Sequence, residues 1–412
     1  MSAASPAANS FRTDATVISL VGFAHGTSHF FHFVLPTLFP WLMREFDLTF
    51  TQVGAAMTVF FVVSGVGQAL AGFVVDRIGA LRVLCGGIAL LSLAVLGYAC
   101  AQNYPMLLGC AALAGLGNSV FHPADFTLLN RRVSVSRLGH AFSVHGLSGS
   151  LGWAASPVFV IAIAESLGWR AACVGASIVG FLALAFLFAN RRVLHDAERL
   201  PQEVGRRRGS SFAFLGAGVV WMCFVFFMLT VMAFGALQNF LPPILERTYG
   251  VTLAFAATAL TTYLLGSAAG VAAGGFFATQ GVHQDRLVAL SLFSAALCAV
   301  ALATAAVPAW SVVALMGLMG FGVGFSGPSR DMLVRRAATS TFGSGAFGRV
   351  YGFVYSGIDT GLALAPLLFG YFMDRGRYTH VLWGVAVLQA FAIAAALTVG
   401  TQSRDQNTSR PA

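Results

Sequence analysis

The chain has 412 residues, of which 57% are hydrophobic and only 9% charged. Soluble proteins carry roughly a quarter charged residues, so water is excluded as the main solvent and a bilayer takes its place. All 24 basic residues are arginine, so there is no Schiff-base lysine for pyridoxal-phosphate chemistry and no P-loop lysine for ATP hydrolysis.

A helix needs about 20 mostly apolar residues to cross a bilayer. Twelve such runs follow one another, at 16–42, 51–75, 81–101, 105–130, 139–164, 168–190, 212–241, 252–279, 286–306, 308–333, 345–371 and 379–400. The first 15 residues are polar and the run after them contains His and Pro, which reads as an uncleaved first span rather than a signal peptide. The polar stretch 191–211 reads as a cytoplasmic linker between an N-terminal half, 1–190, and a C-terminal half, 212–412. The expected fold is an all-α integral membrane protein with twelve transmembrane helices in two six-helix bundles.

The net charge of +9 would suggest nucleic acid in a soluble chain. Here it sets topology. With both termini in the cytoplasm, 19 arginines lie on that side and only Arg44, Arg170, Arg247, Arg375 and Arg377 on the other. Trp41, Trp169, Trp310 and Trp383 then fall near the outer helix ends, as an aromatic belt would place them. The expected location is a bacterial-type inner membrane. The six cysteines all lie in apolar runs without a C-x-x-C pair, which points to neither a disulfide framework nor a metal site. No cofactor and no nucleic-acid partner is expected, and the chain reads as a monomer.

The two halves repeat. Gly115, Gly117, Pro123, Leu128 and Arg131 in the fourth span recur at one offset as Gly320, Gly322, Pro328, Leu333 and Arg336 in the tenth. Gly139, Gly152 and Pro157 in the fifth span have the spacing of Gly348, Gly361 and Pro366 in the eleventh. A six-plus-six parallel repeat is the organisation of a rocking transporter with its site between the halves. Gly266, Gly270 and Gly274 form a small-x-x-x-small face on the eighth span, read as close helix packing.

The second and third spans are joined by Gly72-x-x-x-Asp76-Arg77-x-Gly79-x-x-Arg82. This string resembles the cytoplasmic loop motif of the major facilitator superfamily, and with twelve spans the resemblance covers essentially the whole chain. It implies the major facilitator fold and a gating role for Gly72, Asp76, Arg77, Gly79 and Arg82. The equivalent second-half loop has Thr279 and Gln280 where Asp and Arg would stand, so the implied gate is asymmetric. Within the superfamily, Ser28-His29-Phe30-Phe31, Phe46 to Gly54 and Phe121-His122-Pro123 resemble the fosmidomycin-resistance branch of drug exporters. The chain departs from that branch at His32, where an amide followed by an acid is usual, and at Ala124, where an acid is usual. Ser156-Pro157 replaces the Gly-Pro pair of the fifth helix, and no arginine stands early in the fourth.

Ionisable groups inside a membrane cost about 2.5–3.5 kcal/mol each on insertion scales and are functional candidates by default. His25, His29 and His32 have i, i+4, i+7 spacing and share one face of the first span. His122 and Asp125 share a face of the fourth, and His140 and His145 lie early in the fifth. At a rise of about 1.5 Å per residue, His25 and His122 sit roughly 13 Å from the cytoplasmic ends, and Asp125 and His145 roughly 9 Å. A proton-coupling cluster in the cytoplasmic half of the N-terminal bundle is expected, because imidazoles titrate near neutral pH. His32 and His140 read as lining a cavity mouth or an interface. In the second half, Asp359 is a mid-membrane acid with Tyr355 one turn before it. Arg330 and Asp331 are expected to snorkel to the cytoplasmic surface, and Gln238 and Asn239 are weaker cavity candidates.

The reading is a secondary transporter, not an enzyme: neither H-E-x-x-H nor a serine-nucleophile motif is present. The resemblance favours proton-driven efflux of a small organic molecule or drug. The alternative is proton symport inward of an organic anion or a siderophore-like compound. Partners are the substrate, protons and the lipid bilayer.

Overall fold

The computed structural model describes residues 10–134, 137–194, 216, 218–278, 284–342 and 347–408. The side chains of Asp76, Asp331 and Tyr355, most of the 191–211 linker, and Thr279 and Gln280 lie outside the described residues. The described elements are helical. In chain order they are α1 (Phe11–Thr37), α2 (Phe39–Phe46), α3 (Phe50–Ile78), α4 (Ala80–Ala99), α5 (Tyr104–Asn118), α6 (Phe121–Arg132), α7 (Leu138–Leu167) and α8 (Trp169–Ala189). They continue as α9 (Arg191–Leu194), α10 (Gly218–Tyr249), α11 (Leu253–Ala278), α12 (Gln284–Ala303), α13 (Val312–Phe342), α14 (Phe347–Asp374) and α15 (Tyr378–Thr408).

Among the described residues, eleven spans are long and apolar enough to cross a membrane, with α5 and α6 forming one of them. The first helix is not among the eleven. It is long enough at 27 residues, but three imidazoles and several hydroxyls hold its hydropathy down. The residues that make α1 chemically interesting are those that weaken its apolar signal.

Packing divides the chain into two compact units, one of Met1–Val34 with Val63–Gln202, the other of Leu35–Val62 with Glu203–Ala412. The sequence-based division at 191–211 and this partition differ over residues 35–62, within which Gly54 and Thr58 of α3 meet Pro366 and Ala363 of α14.

In the first unit α4 lies against α5 and α8, and α7 against α8. The repeated glycines sit at helix crossings. A Cβ on Gly117 would meet the Gly87 carbonyl oxygen of α4 at 2.9 Å, and one on Gly152 would run into the Gly26 carbonyl of α1. The second unit repeats the arrangement. A Cβ on Gly322 would meet the Ser291 carbonyl of α12 at 2.7 Å, and one on Gly361 the Met228 carbonyl of α10 at 2.5 Å. Gly117 and Gly322, and Gly152 and Gly361, therefore hold corresponding helix pairs of the two units in backbone contact.

The Gly266, Gly270, Gly274 face of α11 packs on α13, where added methyl groups would strike the carbonyls of Gly317, Phe321 and Phe325. The buried core of the second unit gathers Phe226, Phe227, Leu292, Val354, Ala395 and Val399. Burial of such side chains against one another lets polar groups be held in place at this depth.

The α3–α4 connection has no loop residue beyond Gly79, which adopts φ 93°. That left-handed region is open to glycine without steric cost. The Gly79 N–H closes α3 on the Val75 carbonyl at 2.9 Å, and its own carbonyl starts α4 by accepting from Val83 N at 3.2 Å. Arg77 and Arg82 are exposed. Among the described residues nothing lies within 4 Å of a Cβ on Gly72.

Candidate functional site

The first unit brings His25, His29 and His32 of α1 against His122 and Asp125 of α6, and against His145 of α7. The helical spacing of α1 stacks its three imidazoles on one face: ring centroids are 4.2 Å apart for His25 and His29 and 4.9 Å for His29 and His32. α6 starts at Phe121, just after the helix pauses at Ser119 and Val120. Pro123 is in its first turn, where the missing N–H costs nothing. Asp125 follows one turn in and points back at α1.

Asp125 is fully buried. Its Oδ2 lies 3.1 Å from His25 Nδ1 and 3.1 Å from His145 Nε2, and its Oδ1 is buried with no hydrogen-bond partner. The two imidazoles stack at a centroid distance of 3.5 Å. Two unit charges at that spacing repel by about 5 kcal/mol at an effective dielectric of 20. With a carboxylate at Asp125, both imidazoles donate to Oδ2, which places their protons on His25 Nδ1 and His145 Nε2. The donor atoms of His25, Asp125 and His145 lie within 4.8 Å of one another and form the donor set closest to a metal site among the described residues. Each of those ring nitrogens already has a hydrogen-bond acceptor in Oδ2, an arrangement that suits proton sharing. His122 flanks the group at 5.4 Å from the His25 ring and is exposed. His140 is exposed and takes no part.

A second network continues from His29. Its ring is stacked on Trp153 at 4.4 Å, and its buried Nδ1 has no hydrogen-bond partner. Gly149 makes the room: a Cβ there would be 2.6 Å from His29 Nδ1 and 3.1 Å from His25 Cδ2.

His32 is buried. The Trp153 indole N–H donates to His32 Nδ1 at 3.2 Å. An indole can only donate, so His32 Nδ1 is an acceptor and its proton is on Nε2. Nε2 then donates to Asn118 Oδ1 at 2.7 Å, and Asn118 Nδ2 donates to Ser64 Oγ at 2.9 Å. His32 is held as a neutral imidazole with a fixed tautomer. Protonating it would break the Trp153 bond.

Asn118, Trp153, Ser64 and Gly149 are absent from the sequence-based candidates. Two of them carried a signal. Asn118 is an amide inside an apolar run, and Trp153 is a tryptophan away from the expected belt.

The second-unit candidates are not brought together into one cluster among the described residues. Asp359 lies on α14, half-buried, with no partner to it among the described side chains. Gln238 and Asn239 are buried on α10 just before Pro242 and Pro243. Those prolines remove the N–H groups that would normally bond the carbonyls of residues 238 and 239. Asn239 Nδ2 donates back to the Gly235 carbonyl at 2.6 Å, and its Oδ1 has no partner. The Arg330 guanidinium stands 4.5 Å over the buried Phe227 ring.

Long apolar helices in two related sets, with polar groups buried inside them, define a multi-pass membrane transporter. Residues 20–348 match the Major Facilitator Superfamily, and the chain belongs to that superfamily. It is similar to the uncharacterized MFS-type transporter YfnC of Bacillus subtilis, with 27% identity over 308 residues, 74% of this chain and 75% of the relative. It is similar over a shorter stretch to the fosmidomycin resistance protein of Escherichia coli, with 27% identity over 38% of each chain. A probable sulfoacetate transporter of Cupriavidus necator shares 27% identity over 44% of each chain. The fold resembles the crystal structure of a bacterial homolog of the human lysosomal transporter Spinster, inward-facing and unoccupied. That match has a TM-score of 0.72 at 14% identity and covers 98% of this chain and 100% of the other. These relatives and neighbours are transporters, not enzymes, and the chain is a transporter of the same superfamily.

Proposed function

We propose that the chain is a proton-coupled secondary transporter of the inner membrane that exports a small organic molecule. Twelve helices, α1 included, would form two six-helix bundles, 1–190 and 212–412. They are joined by the 191–211 linker, with both termini in the cytoplasm. The observation that carries the coupling is the fully buried Asp125, bridged by His25 and His145 and left with one unpartnered oxygen. A charged carboxylate at that depth is costly, and proton uptake removes the charge. In this reading a proton arriving from outside is shared among Asp125, His25 and His145. The neutralised cluster favours the other bundle arrangement, and the proton leaves inward as substrate is released outward. His29 relays between this triad and the neutral His32–Asn118–Ser64 chain. Gln238, Asn239, Asp359 with Tyr355, and Arg330 with Asp331 are the second-half candidates for substrate contact. The 72–82 loop, through Asp76 and Arg77, is the candidate gate at the cytoplasmic surface.

Export is favoured by the likeness to the fosmidomycin resistance protein, and import of an organic anion by the likeness to the sulfoacetate transporter. A competition screen of a deletion strain against toxic compounds supplies a substrate, with Asp125→Asn, His29→Ala and Asp359→Asn as variants. Depletion of the hit from expressing cells marks export, and accumulation marks the alternative. Full activity in all three variants, measured with that hit, would refute the site.

A further inference from the structure

The N-terminus of α3 starts with four backbone N–H groups that no carbonyl of its own helix can take. Two are satisfied locally. Gln52 Oε1 accepts from Thr49 N at 2.8 Å, and Thr49 Oγ1 accepts from Gln52 N at 3.2 Å, which is a reciprocal capping box. The other two are satisfied from the far end of the chain. Asp374 Oδ1 accepts from Phe50 N at 2.5 Å, and Asp374 Oδ2 accepts from Thr51 N at 3.0 Å and from Thr51 Oγ1 at 2.5 Å. One carboxylate thus completes the cap of a helix more than three hundred residues away.

Asp374 is the last residue of α14, which has no basic residue in its own last turn. A carboxylate there opposes the dipole of its own helix and complements that of α3. The adjacent Arg375 is turned away, stacked 3.5 Å over the Tyr371 ring. Below the cap the two helices run antiparallel in backbone contact. A Cβ on Gly370 would lie 2.9 Å from Thr51 Cα, and one on Gly54 would lie 2.6 Å from the Pro366 carbonyl oxygen. One turn further, Thr58 Oγ1 donates to the Ala363 carbonyl at 2.7 Å. The contacts along this seam are made at Thr51, Gly54, Thr58, Ala363, Pro366 and Gly370, with a single side-chain hydrogen bond across it, from Thr58, below the cap among the described residues.

We propose that Asp374 is the clasp of an outer gate: it caps α3 from α14 while that end is shut, and its release is a required step in opening that end. The proposal rests on the transporter reading, in which α3 and α14 belong to different bundles and the arginine pattern puts this end outside.

The test is hydrogen–deuterium exchange on the purified full-length protein in lipid nanodiscs, comparing wild type with Asp374→Ala and Asp374→Asn. The expected result for Asp374→Ala is exchange about tenfold faster over residues 50–58, the ratio equivalent to losing one good helix cap. The inner segment 72–82 should become more protected at the same time, because opening one end of a rocking transporter closes the other. Asp374→Asn, which keeps one acceptor, should fall between. Faster exchange confined to 50–58 would reduce Asp374 to a local cap, and no change at either segment would remove even that; either result overturns the clasp.

A second arm places Thr51→Cys and Gly370→Cys together in a background lacking the six native cysteines. Oxidation should stop flux of the screened substrate and reduction should restore it. If the oxidised protein still transports, the clasp is wrong and the transporter reading stands. If no compound is transported while both exchange segments respond in opposite senses, the clasp stands and the substrate assignment fails.

Discussion

Gly149→Ala tests whether the imidazole column is held where the structure puts it. The added methyl would lie 2.6 Å from His29 Nδ1 and 2.7 Å from its Cε1, against an ordinary contact near 3.4 Å. His29 would have to move by the difference, about 0.8 Å, and has little room to do so. Trp153 is stacked on one side at 4.4 Å, and His25 crowds another at 4.2 Å. Overpacking of this kind costs about 1–3 kcal/mol. If His29 takes part in the transport step, that cost lowers flux by about tenfold or more. The assay pairs resistance of an expressing strain with thermal unfolding of the purified protein. Gly149→Ala should lower both. Adding His29→Ala removes the clash, so the double variant should regain melting temperature while transport stays low. Such recovery is the coupling expected of residues in contact. Wild-type transport together with an unshifted melting temperature in Gly149→Ala would refute the placement of His29.

Three further outcomes follow from the same structure. Gly270→Leu drives a side chain into the Phe321 carbonyl and should abolish folded protein on fluorescence-detected size exclusion. Gly275→Leu, with nothing within 4 Å, should accumulate normally. Asp14 is fully buried and accepts from Arg137 Nη1 at 2.6 Å and from Ser134 N at 3.3 Å, tying the start of α1 to the α6–α7 connection. Asp14→Ala should cost about 1–3 kcal/mol, the range for leaving buried hydrogen-bond donors unsatisfied, read as a fall in melting temperature, and Asp14→Asn should cost less. Trp153→Phe removes the indole donor that fixes the His32 tautomer while keeping the ring. It should shift the pH profile of transport more than it shifts the melting temperature, and an unchanged profile would count against the neutral relay.

Periodicity made much of this legible in the sequence. The i, i+4, i+7 spacing of His25, His29 and His32 requires one helix face, and depth counting brought Asp125 and His145 to that face. The glycines of α11 and of the two repeats announced close helix contact, because an added Cβ has nowhere to go at those crossings. What escaped was set by packing between helices. That His32 meets the Asn118 amide depends on the rotation of α5, which no run of apolar residues reveals. The Asp374 cap joins residues separated by nearly the whole chain, and a carboxylate at the end of a helix looks in sequence like an ordinary loop acid. The first helix is legible as a run at 16–42 but falls outside the eleven apolar spans. Its histidines lower its hydropathy, so the span richest in candidate chemistry is the least convincing as a span.

The central claim is that Asp125, with His25 and His145, couples substrate movement to protons. The most direct test is flux of the screened substrate in proteoliposomes at a series of imposed pH gradients, for wild type and Asp125→Asn. The account predicts that wild-type flux rises with the gradient. Asp125→Asn should exchange substrate down its own gradient yet be indifferent to the pH difference. Gradient-driven flux that survives in Asp125→Asn would contradict it.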